Sequence, residues 1–394
     1  MLYLNQLGMV SPLGNTLGET KLRLLALAQS GVVPTDAYSP GRWLPLGRVD
    51  PGLSLPPLDD CPLRQRSRNN QLALAALTQI RAAVENAKER FGPERIGVVI
   101  GTSTSGIAEG EAALRARKRT GTLPAQFHYG QQELVSPAAF LAATLGSKGP
   151  VFVHSSACAS SAKALASAAR LMLMNLCDAV ITGGIDTLCA FTVAGFAALE
   201  SVSVKRCNPL SRNRDGINIG EGAAIFLMTR EPATVSLRGW GESSDGYHVS
   251  APDPAGVGAR RAMEQALSRA GVAASQIEYV NLHGTATVQN DAMEARLVHA
   301  LFGDQVAVSS TKPFTGHALG AAGAIEAGLC WLSMQDDNPS GKLPPHLWDG
   351  EYDPALPKLN LIEPGGSVGH HLRWTLSNSF AFGGANATLV LGRE

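Results

Sequence analysis

One layout occurs twice in this chain, and it restricts the fold more than any other feature. Val151-Phe152-Val153-His154-Ser155-Ser156-Ala157-Cys158 runs from an apolar, β-branched stretch through two serines into an Ala/Ser-rich run lasting to about Leu176. Val306-Ala307-Val308-Ser309-Ser310 leads likewise through Thr311-Lys312-Pro313-Phe314-Thr315-Gly316-His317 into Ala318-Leu319-Gly320-Ala321-Ala322-Gly323-Ala324. Each reads as strand, turn and helix. Both helices carry small residues on nearly every face, so they are expected to be buried with other backbones close by. Two copies of one unit imply two pseudo-symmetric halves, residues 1–230 and 231–394, with the small-residue helices sandwiched between two sheets.

The remaining stretches fit that division. Strands are expected at 2–10, 96–100, 178–182, 222–228, 235–238, 277–282, 374–377 and 387–391, and helices at 70–90, 255–270 and 291–301. Residues 31–63, rich in Pro, Gly and Asp, read as irregular surface. At 394 residues the chain exceeds one ordinary core, and 45% hydrophobic residues supply enough material for two. Its net charge is zero with no long basic block, which excludes nucleic acid as an expected partner. The six cysteines show no CxxC and no regular spacing, which argues against a zinc site or a disulfide framework and fits a reducing cytoplasm. No signal-like amino end and no run of about 18 apolar residues occurs, so neither export nor a membrane span is expected.

Several side chains stand where chemistry is done. A thiol at the amino end of a buried helix lies beside unpaired N–H groups and the positive dipole end, which favour thiolate; the other reading of Cys158 is an inert core cysteine. His283 follows the strand 277–282, and the carboxyl end of a strand is where α/β sheets open a ligand cleft. An ordinary loop histidine is the alternative. His317 begins a buried helix, where the dipole favours a neutral ring, or else it is only a cap. Lys312, if buried, needs an acidic partner, and Glu294 is a candidate. Asp291 and Glu294 beside His283 do not form a recognised metal-ligand spacing and read as a structural carboxylate network. His154 reads as a satisfied core histidine. The glycines of 216–222 read as a turn.

Four motifs in order then carry a resemblance: Ser156-Ala157-Cys158-Ala159-Ser160-Ser161; His283-Gly284-Thr285-Ala286-Thr287; Thr311 to Gly323 around Lys312 and His317; and Asn378-Ser379-Phe380-Ala381-Phe382-Gly383-Gly384-Ala385-Asn386. With Arg214-Asp215-Gly216 and Gly220-Glu221-Gly222-Ala223, the chain resembles the elongating β-ketoacyl-[acyl-carrier-protein] synthases. The resemblance implies the thiolase-like α/β fold, a five-layer α-β-α-β-α sandwich. It implies Cys158 as the acyl-accepting nucleophile, and His283 and His317 as the groups that bind the malonyl carbonyl and promote loss of carbon dioxide. Lys312 would hold the charge pattern with Glu294. The N–H groups of Cys158 and Phe382 would form the oxyanion hole, with Phe382 also a gate. Thr285 and Thr287 would line the approach of the phosphopantetheine arm, and Ile107 would border the acyl pocket. Ala381 stands where the family usually has Gly, and Val288 where Pro is common.

The same resemblance implies decarboxylative Claisen condensation without metal or dissociable cofactor, the substrates being carried on phosphopantetheine. The expected pathway is fatty acid or polyene/polyketide-type synthesis, with Gly184 to Cys189 and Phe196 to Ser201 reminiscent of aryl polyene synthases. The expected partners are an acyl carrier protein and a second subunit, making a homodimer or a heterodimer with a related ketosynthase-like chain. A non-catalytic, chain-length-determining subunit is the alternative, although such subunits typically lack the cysteine. Carrier proteins are acidic, so Arg64, Arg66 and Arg68, or Arg115 to Arg119, or Lys205 and Arg206, are candidates for docking.

Overall fold

A computed structural model describes residues 1–394. The first half runs β1 (Tyr3–Val10), α1 (Leu17–Lys21), β2 (Val32–Thr35), β3 (Leu44–Gly47), α2 (Arg68–Phe91), β4 (Ile96–Gly101), α3 (Ile107–Thr120), α4 (Ser136–Leu145), β5 (Val151–His154), α5 (Ser160–Leu173), β6 (Ala179–Asp186), α6 (Ala190–Ala198) and β7 (Gly222–Thr229). The second runs β8 (Val235–Ser244), α7 (Val257–Ala270), β9 (Tyr279–Asn281), α8 (Val288–Phe302), β10 (Ala307–Ser309), α9 (Lys312–Thr315), α10 (Ala322–Ser333), β11 (Asn360–Leu361), β12 (Trp374–Phe380) and β13 (Ala385–Arg393).

Strand order shows the internal symmetry. Apart from the β2–β3 hairpin, the five strands of the first half lie as β5-β4-β6-β7-β1, and their counterparts as β10-β9-β12-β13-β8. In both, four strands run in one direction and only the fourth in this order, β7 or β13, runs against them. Each half is therefore a mostly parallel sheet, as strands alternating with helices lead one to expect. Tyr3 pairs with Ser236, joining the two sheets edge to edge through β1 and β8.

Three cores define the layers. Helices α2 and α4 cover the outer face of the first sheet through Leu72, Leu77, Phe140 and Leu141 packed on Val98, Ile100 and Ile181. Helices α7 and α8 do the same for the second sheet through Met263, Leu267, Met293 and Val298. Between the sheets lie α5 and α10, with Ala162, Leu165, Ala166, Ala324, Ile325 and Leu329 in one continuous core. Small residues permit this: a Cβ on Gly184 of β6 would fall 2.5 Å from Ser161 Cβ and 3.0 Å from Ala321 Cα.

Helix α5 stops at Leu173, three residues before the expected end, with Asn175 in the left-handed region at φ 57°. The second small-residue helix begins with a single 3₁₀ turn, Leu319–Ala321, before α10. The region 31–63 differs more. It contains a hairpin, β2 paired antiparallel with β3, and β3 is buried along its whole length. Leu44 and Leu46 pack on Leu188, Ile217, Ile219 and Leu319, beneath the His317 turn. A four-residue strand containing a proline is too short to show alternation, so its burial left no periodic trace.

Candidate active site

The two strand–turn–helix units meet where their turns face each other. Cys158 lies just ahead of α5 in a tight elbow, with Ala157 at φ 46°. Ser160 holds the elbow: its hydroxyl donates to Ala157 O at 2.6 Å and accepts from Ser156 N–H at 2.8 Å. A non-glycine residue in this region is held there against a cost of about 1–3 kcal/mol, the kind of local strain that clusters at functional sites. His317 follows α9, its N–H bonded to Asn218 O at 2.6 Å. Its Nε2 lies 2.9 Å from Cys158 Sγ.

His283 completes the group, its ring edge-on to that of His317 with centroids 5.4 Å apart. Its position is fixed by a bidentate anchor. Glu294, in the second turn of α8, accepts from His283 N–H and Gly284 N–H, each at 2.8 Å. Asn378 of β12 also donates to Glu294 at 3.0 Å, and Thr388 of β13 donates to Asn378 at 2.9 Å. Asp291 accepts from Ala286 N–H at 3.2 Å and Leu210 N–H at 2.8 Å.

This corrects the expected pairing of Lys312. Its ammonium is bonded to Glu326 of α10, both side chains at most 2% exposed, and not to Glu294. Glu294 is occupied by two backbone N–H groups of the 283–284 turn, while Glu326 points from the helix packed beside Lys312. Glu326 is the only charged residue between Ala318 and Gln335, a signal that identifies it in hindsight. Lys312 Nζ also lies 3.4 Å from His283 Nδ1. An ammonium has only protons to give, so Nδ1 accepts and Nε2 carries the ring hydrogen.

Burial dominates the electrostatics. It pushes the Cys158 thiol up to about 11, opposed by Lys312 and by the backbone N–H groups of Phe382 and of Cys158 itself. The expected depression of this thiol is therefore not what the structure produces, because full desolvation outweighs the helix end. Burial and Lys312 hold both His283 and His317 well below the ordinary imidazole range, so both rings are neutral. The resting pair is thus a thiol beside a neutral imidazole, with the sulfur 2.9 Å from Nε2 of His317. The sulfur and ring nitrogens lie within 4.8 Å of one another. Yet the Lys312-fixed tautomer makes His283 present a hydrogen rather than a lone pair, a poor match for a metal ligand.

The surrounding cavity is lined by Cys158, His283, His317, Thr285, Thr287 and Phe382, among others. Thr285 and Thr287 share a hydroxyl–hydroxyl contact of 2.9 Å. Phe382 sits in a turn between β12 and β13 where Gly383 and Gly384 take φ 79° and 73°, and its ring lies 5.5 Å from that of Phe196. Ile107, at the start of α3, is not among the residues lining this cavity. Glu221, read with its glycines as a plain turn, is fully buried and paired with Arg68 at 2.6 Å. Arg68 is therefore engaged internally. Chemically, the site combines a thiol with a base, two neutral imidazoles and two backbone N–H donors in an enclosed space.

Known proteins show the same pattern over the whole length. Residues 52–233 match the family described as beta-ketoacyl synthase, N-terminal domain, and residues 234–347 match beta-ketoacyl synthase, C-terminal domain. The chain belongs to the β-ketoacyl synthase family, with its thiolase-like α/β fold. The 3-oxoacyl-[acyl-carrier-protein] synthase 2 of Coxiella burnetii is 32% identical over 415 residues, covering 98% of this chain and 97% of that protein. A chain of the ketosynthase–chain length factor complex from Xenorhabdus doucetiae is 43% identical with a TM-score of 0.94, covering 100% of this chain and 98% of that one. A β-ketoacyl synthase from Burkholderia phymatum is 27% identical with a TM-score of 0.84, covering 100% and 99%.

Proposed function

We propose that this chain is a β-ketoacyl-[acyl-carrier-protein] synthase that extends a Cys158-bound acyl chain with malonyl units. The observation that carries this reading is the 2.9 Å contact between Cys158 Sγ and His317 Nε2, inside a cavity shared with His283. The thiol proton passes to Nε2, and the sulfur attacks the thioester carbonyl of an acyl carrier. The oxyanion is held by the N–H groups of Cys158 and Phe382, each such donor being worth roughly 2.7–4 kcal/mol in the barrier. The carrier's thiol leaves with the proton. The malonyl carbonyl then accepts from His283 Nε2–H, and from His317 once its ring hydrogen has moved to Nε2, Nδ1 having no partner to hold it. The malonyl carboxylate departs as carbon dioxide, its bonding pair forms the enolate, and the enolate carbon attacks the acyl-Cys158 carbonyl. Cys158 leaves as thiolate, the 3-oxoacyl carrier is formed, and a proton taken up from solvent restores the resting thiol. Neutral rings stabilise the enolate oxygen by hydrogen bonding, and the reading needs neither a metal nor a dissociable cofactor.

The same reading assigns a cytoplasmic enzyme working with an acyl carrier protein and a second subunit, either an identical chain or a related ketosynthase-like one. The open edge of β5 and the exposed Leu173, Met174 and Leu176 at and just past the end of α5 support a subunit contact there. The Xenorhabdus complex of a ketosynthase with its chain length factor supports the heterodimeric form. The pathway we assign, polyene- or polyketide-type and including aryl polyene synthesis, rests on the Gly184 to Cys189 and Phe196 to Ser201 stretches. Exposed Arg115, Arg117, Lys118 and Arg119 on α3 are the favoured carrier-docking group, since Arg68 is committed to Glu221. No helix is long and apolar enough to cross a membrane. The assembled thiol–imidazole pair favours a catalytic chain over a non-catalytic chain-length subunit. The test is Cys158→Ala with malonyl- and acyl-carrier proteins: loss of carbon–carbon bond formation is expected, and unchanged condensation would end the reading.

A further inference from the structure

Asp186, at the end of β6, is fully buried, has no cationic partner and touches none of the reacting groups. It is nevertheless the most heavily hydrogen-bonded carboxylate near the site. Its Oδ1 accepts from Thr102 Oγ1 at 2.6 Å, Thr104 N–H at 2.8 Å, Thr104 Oγ1 at 2.8 Å and Ser103 N–H at 2.9 Å. Its Oδ2 accepts from Ser103 N–H at 3.0 Å and Gly320 N–H at 2.6 Å.

These bonds reach both turns that carry the chemistry. Ser103, held at its N–H by Asp186, donates its hydroxyl to Ala157 O at 3.2 Å, in the elbow immediately before Cys158. Gly320 lies three residues after His317, and a Cβ there would fall 2.7 Å from Asp186 Oδ2 and 2.7 Å from Ser103 N. Three non-glycine residues with left-handed backbones surround this carboxylate: Ser105 at φ 45°, Ala157 at φ 46° and Leu319 at φ 50°. Such conformations persist only where the surroundings over-determine them. One buried anion accepting from several fixed donors supplies that constraint, because breaking any bond leaves a polar group unsatisfied away from water.

We infer that Asp186 is the positioning residue that holds the Cys158 elbow and the His317 turn in register, and so sets the sulfur–nitrogen contact between the two halves. Thr102 and Thr104 fix the carboxylate in the plane from which it reaches both. Ser103 carries the constraint to the thiol side, and Gly320 carries it to the imidazole side. The inference rests on the proposed role of Cys158, but its effect is readable on the thiol without any carrier substrate.

The test uses Ser103→Ala and Asp186→Asn in the full chain. The readouts are the second-order rate of Cys158 alkylation by iodoacetamide across pH, and the self-acylation rate from an acyl carrier. Asn presents an N–H₂ to donors that need an acceptor, whereas Ser103→Ala removes only the bridge to Ala157 at a half-buried position. Both variants should react about 10- to 100-fold more slowly in acylation, the size expected for misplacing a reacting group by about 1 Å. The alkylation pH profile should shift, while the Michaelis constant for the acyl carrier stays within about twofold, since neither residue lines the cavity. If Asp186→Asn fails to fold, Ser103→Ala decides alone. Alkylation profile and acylation rate unchanged in a folded Ser103→Ala variant would overturn the inference. An inert Cys158 in the unmodified protein would instead count against the proposed function.

Discussion

Lys312 and Glu326 form a closed ion pair between α9 and α10, and the same ammonium stands 3.4 Å from His283 Nδ1. A single cation is thereby shared between a structural partner and a reacting ring. The pair keeps Lys312 beside the histidine, and the charge keeps that histidine neutral with its hydrogen turned into the cavity.

Removing the acid should be costly. Glu326→Gln leaves a buried ammonium without its counter-charge, which destabilises a fold by about 3–5 kcal/mol. Urea unfolding followed by circular dichroism reads this directly; a loss below about 1 kcal/mol, the size of an exposed pair, would contradict the burial described here.

His283 should separate the two half-reactions. His283→Ala removes one donor to the malonyl carbonyl while leaving Cys158 and His317 in contact. Carbon dioxide release from a malonyl carrier should fall by about 10²–10³. Acylation of Cys158, followed by intact-protein mass spectrometry, should persist. Equal loss of both would mean that His283 serves the thiol instead.

Stability should fall with rising pH through the Glu294 transition. Burial raises its carboxyl from 4.5 to about 7. Between those values the folded chain keeps a proton that the unfolded chain has released, so the contribution is full below 4.5 and lost by the time pH passes 7. Between about pH 5 and about pH 7.5 the wild type should lose about 2–3 kcal/mol more than Glu294→Gln, which cannot titrate. The ionised form, however, is the one that accepts both N–H groups of the His283 turn. Activity should therefore climb over the range in which stability declines.

The β2–β3 hairpin should matter to the site it underlies. A Cβ on Gly47 would lie 1.9 Å from Thr315 O, in the turn that leads to His317. Gly47→Ala should cost about 1–3 kcal/mol, as overpacking does. It should also slow acylation of Cys158 by displacing that turn. A variant that is destabilised but acylates at the normal rate would show that the hairpin only supports the fold.

Much of the site was legible because its reactive groups lie in short, local units. Cys158, His283, Lys312 and His317 each sit at the junction of a strand and a helix, and that junction shows in the residue pattern. The partner of Lys312 was not legible in the same way. Glu294 and Glu326 are both on helices near it in the chain, and only the packing of α10 against α9 decides between them. The thiol's protonation was misjudged for a related reason: a helix end is visible in sequence, whereas the depth of burial above it is not. Asp186 was missed because its donors come from the loop after β4 and from the start of the second small-residue helix, more than 80 and 130 residues away along the chain.

The two turns that touch belong to opposite halves, with the sulfur at residue 158 and its base at residue 317. During synthesis the thiol therefore emerges long before anything that can take its proton. A nascent chain, or a fragment ending after β7, carries only an unassisted cysteine. The thiol therefore gains its imidazole neighbour only once both halves are made and folded against each other.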